Sequence, residues 1–149
     1  MHHASTARDW IDADQIARIR GGFAGIAADA DRFTAAFYAR LFELAPTLRD
    51  LFPPDLSAQR AKLAHMLSML TASLDRPLEL RPALAALGER HRSYGVVTTD
   101  FRSVGQALLD TLAAHLGERF TVADRAAWTV LYGRIAAIMT APTQRAAAA

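Results

Sequence analysis

The sequence predicts an all-α domain, and three observations carry that reading. The chain holds 32 Ala and 18 Leu against 11 Ile and Val taken together, with aromatics at 8%, a composition that suits helices and is poor material for sheets. Apolar residues recur at steps of three and four along almost the whole length, the period of an amphipathic helix. The pattern breaks at only a few places, each marked by proline, glycine or a capping residue. A β sandwich or barrel is excluded. At 149 residues the chain is one domain, able to hide roughly 70% of its unfolded surface and still enclose something.

The elements follow in order. Asp12 or Asp14 caps a first helix with Ile16, Ile19, Phe23 and Ile26 on one face and Gly21-Gly22 as a soft spot within it. A second helix starts near Asp29, carries Phe33, Phe37, Leu41 and Leu44, and ends at Ala45 because Pro46 disfavours helix in the residue before it. A short turn leads to Leu51-Phe52. Pro53-Pro54-Asp55 is the strongest punctuation, and Ser57 caps a third helix bearing Leu63, Met66, Leu67, Leu70 and Leu74. After a break at Asp75-Arg76-Pro77 comes a short helix from about Pro82 to His91. The β-branched stretch from Tyr94 to Asp100 reads as a connection. Asp100 opens a helix through Phe101, Val104, Leu108 and Leu112 that stops at Gly117. Thr121 or Asp124 opens the last, through Trp128, Leu131, Ile135 and Ile138 to Pro142. The expected layout is six main helices plus one short turn, a domain over residues 12–141, and tails at 1–11 and 142–149.

Composition also excludes functions. Without cysteine, disulfide frameworks, thiolate nucleophiles and Cys-ligated zinc or iron–sulfur sites fall away together. The formal charge is +2, and the cations, nearly all Arg, are scattered from Arg8 to Arg145 among acidic residues, so no nucleic-acid surface is expected. No apolar run approaches the roughly 18 residues of a membrane span, and the N-terminus lacks the apolar stretch of a signal peptide. The expected compartment is the cytoplasm, and either a monomer or a homodimer is compatible with the Ala-rich surface.

Three residue types are hard to explain as packing: Tyr38 in Phe37-Tyr38-Ala39-Arg40-Leu41-Phe42, Gln59 in Gln59-Arg60-Ala61-Lys62-Leu63, and His91 in His91-Arg92-Ser93-Tyr94-Gly95-Val96. With Pro46, Phe52 and Trp128, this ordered set resembles the globins from Ile16 to Met139, and most closely the globin domain of flavohaemoglobins and the single-domain bacterial haemoglobins. The resemblance implies a three-over-three helical sandwich around haem b.

Carried over by position, the resemblance makes His91 the proximal histidine that ligates haem iron through a neutral imidazole. Gln59 takes the distal position. At about 100° per residue, Leu63, Met66 and Lys62 share its helix face within about 60°, while His65 lies roughly 120° away and is expected not to reach the iron. Tyr38 matches the distal tyrosine, a phenol able to donate a hydrogen bond to bound dioxygen. Such a bond is worth about 1.5–3 kcal/mol, or roughly ten- to 150-fold in affinity. Phe52 matches the phenylalanine on the haem edge. Lys62, the only lysine, is expected to meet a haem propionate, with Arg92 and Tyr94 candidates for the other. Leu87, Val96, Phe101 and Val104 are expected to line the proximal side.

The resemblance implies reversible binding of O2, NO and CO at five-coordinate Fe(II), and nitric oxide dioxygenation if an external reductase supplies electrons. Flavohaemoglobins carry a tyrosine ten residues after the proximal histidine and a late glutamate that together make the imidazole more anionic. Here position 101 is Phe and no acid follows Asp124, which argues against strong oxygen activation, and the reductase domain of flavohaemoglobins is not part of the sequence. The alternative reading is a gas- or redox-sensing module without turnover.

Overall fold

The computed structural model describes residues 10–96 and 99–141. Among these, six α-helices appear and no strand: α1 (Ala13–Ala27), α2 (Ala30–Leu44), α3 (Ser57–Ala72), α4 (Pro77–Ser93), α5 (Asp100–Leu116) and α6 (Val122–Thr140). A 3-10 turn, Pro46–Leu51, joins α2 to α3, and a shorter one, Gly117–Arg119, joins α5 to α6. Helices α1, α3 and α4 lie over α2, α5 and α6, with α2 packed on α5, α4 on α6 and α1 on α6. The expected all-α globin arrangement is what forms.

Helix starts follow their capping chemistry. The Asp12 carboxylate accepts from the Gln15 amide while the Gln15 side chain accepts from the Asp12 amide; Thr121 and Asp124 repeat this reciprocal box at α6. Ser57 is not the cap of α3 but its first residue. Asp55 instead accepts from both the amide and the hydroxyl of Ser57, at 2.9 and 2.7 Å.

Two expectations are corrected. Helix α4 begins at Pro77 rather than near Pro82 and runs straight through Pro82. The carbonyl that Pro82 leaves without a helical donor belongs to Leu78, which is 72% exposed, so water can satisfy it. The N-terminal residues assigned to a tail include Trp10 and Ile11, which are buried in the core. The Trp10 indole donates to the Leu74 carbonyl at 2.7 Å, and Arg134 donates to the Trp10 carbonyl. Ile11 before the Asp12 cap and Ile16 one turn into α1 join the same cluster, the arrangement of a hydrophobic staple. The expected tail at 142–149 lies outside the described residues.

Three glycines let α6 come close. A Cβ on Gly88 would stand 2.2 Å from the Met139 carbonyl oxygen, one on Gly105 would stand 2.6 Å from the Tyr132 ring, and one on Gly22 would stand 2.9 Å from the Trp128 indole nitrogen. Gly22 is therefore a seat for Trp128 rather than a soft spot, and α1 is continuous through it. Two apolar clusters result. The larger draws on all six helices; the smaller gathers Phe37, Tyr38, Leu41, Leu48 and Ala107, and Leu63 and Leu108 touch both.

Candidate functional site

Gln59 lies on α3 and His91 on α4, and each helix packs mainly on others, α3 on α1 and α2 and α4 on α6, with little contact between the two. A cleft between them would be flanked by the Gln59 and His91 faces.

On the α4 side, the His91 ring turns back along its own helix, and Nδ1 lies 2.8 Å from the Leu87 carbonyl. A carbonyl can only accept, so Nδ1 carries a proton, and in the neutral imidazole that leaves the lone pair on Nε2. Helix α4 then ends through a paired closure: the Gly95 amide donates to the Arg92 carbonyl and the Val96 amide to the His91 carbonyl, both at 3.1 Å. Gly95 has φ +92°, a backbone that favours glycine, and the geometry is a Schellman motif. The His-x-x-Tyr-Gly-Val spacing is thus a helix stop that fixes His91 one turn from the end.

Phe101 at the start of α5 packs near the imidazole, ring centroids 6.4 Å apart. Behind it, the Tyr132 ring lies on Gly105 and its hydroxyl donates to the Phe101 carbonyl. Burial pushes the Tyr132 phenol well above the usual tyrosine range. This tyrosine reaches position 101 through its backbone, from the last helix rather than from position 101 itself.

On the α2–α3 side, Tyr38 is buried among Phe37, Phe42 and Phe52, whose rings stand 5.0, 6.0 and 5.6 Å away. Gln59 Nε2 donates to the Tyr38 hydroxyl at 3.1 Å. The hydroxyl accepts from Gln59, so its own proton remains available to another acceptor. Burial raises the Tyr38 phenol above its ordinary value, with the Gln59 bond acting weakly in the other direction; it is a neutral donor at physiological pH.

The remaining sequence candidates divide. Leu63, Met66, Leu87, Phe101 and Val104 are partly buried at the edges of the two clusters, whereas their helix neighbours Leu67, Leu70, Leu84 and Leu112 are buried. Val96 is partly buried at the end of the helix closure, while Lys62 and His65 are exposed on α3. Tyr94 is 68% exposed. Arg92 donates to the Met139 carbonyl at 2.7 Å, so it ties α4 to the end of α6.

The donor set fits haem. One histidine has a committed Nδ1 and an available Nε2, a buried phenol and a partly buried amide stand on the other helix pair, and partly buried apolar side chains can serve a flat apolar group. Residues the sequence reading passed over are Arg49, Gly88, Gly105 and Tyr132. The signal for Gly88 was present: a glycine three residues before His91 in a helix that otherwise favours Leu and Ala.

The globin family profile matches residues 35–139. Neuroglobin of Dissostichus mawsoni is 29% identical over 136 residues, covering 82% of this chain and 86% of the relative. Neuroglobin of Chaenocephalus aceratus matches to the same identity and coverage, as does neuroglobin-1 of Oncorhynchus mykiss. These relatives are vertebrate neuroglobins, so the nearer kinship with flavohaemoglobins read from the motifs is not what the comparisons support. No helix among the described residues is long and apolar enough to cross a membrane. With the helical architecture, the histidine and the family match together, the chain belongs to the globin family, a family of haem proteins that bind small gases.

Proposed function

We propose that the chain is a haem b globin whose task is reversible O2 binding, with His91 as the proximal ligand and Tyr38 and Gln59 as the distal pair. When bound, haem b supplies a ferrous iron that takes O2, CO or NO reversibly and, given O2 and NO together, yields nitrate and ferric iron that an external one-electron donor must restore. The observation that carries the O2 reading is the Gln59–Tyr38 hydrogen bond of 3.1 Å.

Each side chain has a distinct duty. The Leu87 carbonyl holds the imidazole in one tautomer and orientation. Gln59 fixes the Tyr38 oxygen as an acceptor, which turns the phenolic proton toward a distal ligand. A guest that carries partial negative charge on that side, as dioxygen would, would profit from the Tyr38 donor, and CO would do so much less. Phe52 and the partly buried Leu63, Met66, Leu87, Val96, Phe101 and Val104 supply the apolar walls. Lys62, and less directly Arg92 and Tyr94, stand for the propionates. The Tyr38–Gln59 pair motivates nitric oxide dioxygenation as a secondary activity, with a cytoplasmic setting part of the same proposal.

Stopped-flow measurement of O2 release tests the proposal. Tyr38→Phe is expected to release O2 about tenfold faster or more, with CO release nearly unchanged. An unchanged O2 rate would remove Tyr38 from the distal role.

A further inference from the structure

We propose that Arg49 is a positioning residue for the distal wall: its guanidinium binds the carbonyls of Phe52, Pro53 and Pro54 and thereby holds the Phe52 ring against Tyr38. The inference rests on the haem-binding reading above and adds a residue to it.

The Phe52-Pro53-Pro54 segment has a backbone problem. Neither proline has an N–H, and the one amide in the segment, that of Phe52, is already donated to the Arg49 carbonyl at 3.1 Å. Three consecutive carbonyls therefore face a stretch of chain with no regular partner. Arg49 meets all three: Nη1 stands 3.3 Å from the Phe52 oxygen and 2.9 Å from that of Pro53, and Nη2 stands 2.9 Å from that of Pro54. A planar fork with fixed donors can span neighbouring carbonyls in this way; a single ammonium cannot.

The same guanidinium lies over the Phe42 ring, 5.3 Å from its centroid. Phe42 in turn packs on Phe52 at 5.6 Å and Tyr38 at 6.0 Å. Arg49 thus holds the aromatic triangle from two directions, through the backbone of Phe52 and through the face of Phe42. Its own turn also approaches the corner after His91, since a Cβ on Gly95 would stand 3.8 Å from the Leu51 side chain. Loosening the turn would expose the edge of the cleft that Phe52 covers and relax the Tyr38 ring.

Arg49→Lys and Arg49→Met separate the fork from the charge and from the bulk. The first readout needs no haem: amide hydrogen exchange in the apo chain at Phe52 and Ser57, the bonded amides on either side of the two prolines, is expected to rise about tenfold in both variants with helix content unchanged. In the haem-loaded protein, transfer of haem to a scavenger protein and release of O2 are both expected to accelerate about five- to tenfold. The iron–histidine stretching frequency should stay at the wild-type value, because the Leu87 carbonyl that holds the His91 ring is not among the groups Arg49 binds. Wild-type behaviour of Arg49→Lys in both readouts would overturn the fork. Faster exchange with unchanged haem and O2 release would overturn the positioning role. Failure of the wild-type chain to take up haem would contradict the underlying reading and with it the positioning of a haem edge, while the exchange readout would still decide whether the fork exists.

Discussion

The two sides of the cleft are built by different means. The α2–α3 side is a nest of aromatic rings around one polar pair, Tyr38 and Gln59, with Thr34 the only other buried polar residue on α2. The α4–α5–α6 side is held by backbone: Gly88 against the Met139 main chain, Tyr132 on the Phe101 carbonyl, Arg92 on the Met139 carbonyl and the His91 ring on that of Leu87. The first kind of wall can move its rings a little and offers a donor to a guest. The second kind is tied to main-chain atoms and suits a ligand that must stay fixed.

That contrast can be broken most severely at His91. His91→Ala is expected to weaken haem affinity by more than about 100-fold, since even outer partners of a metal-bound histidine cost about 10- to 100-fold; haem titration followed by absorption checks this. Gly88→Ala attacks the packing on the same side without touching the imidazole. The added methyl meets backbone that cannot turn away, and the expected loss is about 2 kcal/mol, despite up to about 1 kcal/mol of helix propensity gained. Urea unfolding of the apo chain measures it. An unchanged midpoint would show that α4 and α6 separate freely.

On the opposite wall, Gln59→Leu leaves Tyr38 with its proton but removes the bond that orients it. O2 release should rise about threefold, less than in Tyr38→Phe, and a larger effect in Gln59→Leu would make the amide the principal donor. The smallest effect sharpens the comparison through pH. Burial raises both the Tyr38 and Tyr132 phenols above the ordinary value of 10. Stability held by the neutral phenols is therefore fully present below pH 10 and is lost as pH rises through the folded-state values. Tyr132→Phe should cost about 1 kcal/mol at neutral pH, from its lost bond to the Phe101 carbonyl, and flatten the alkaline decline. A decline as steep as in the wild type would mean that Tyr132 is not the group whose ionisation drives it.

Much of this was legible in the sequence because it depends on local rules. The period of apolar residues placed all six helices, Asp12 and Thr121 announced their caps, and Tyr38, Gln59 and His91 stood out as polar residues on apolar faces. What was hidden depends on the meeting of distant segments. Pro82 suggested a late start for α4, because the sequence does not show that the Leu78 carbonyl is exposed. Gly22 read as weakness because Trp128, which fills its space, lies on another helix. Arg49 was one arginine among sixteen, and its role comes from three carbonyls that two prolines leave unserved. Arg92 donates to the Met139 carbonyl, and nothing near it in sequence indicates that contact.

The most direct test of the asymmetric cleft is the absorption spectrum of the haem-reconstituted, dithionite-reduced protein under argon and then under CO. The account predicts a five-coordinate high-spin ferrous spectrum under argon, with His91 the sole protein ligand, converting fully to a six-coordinate form when CO is admitted. A low-spin six-coordinate spectrum under argon would contradict it, because a second side chain would then occupy the side assigned to Tyr38 and Gln59; so would the absence of any haem band.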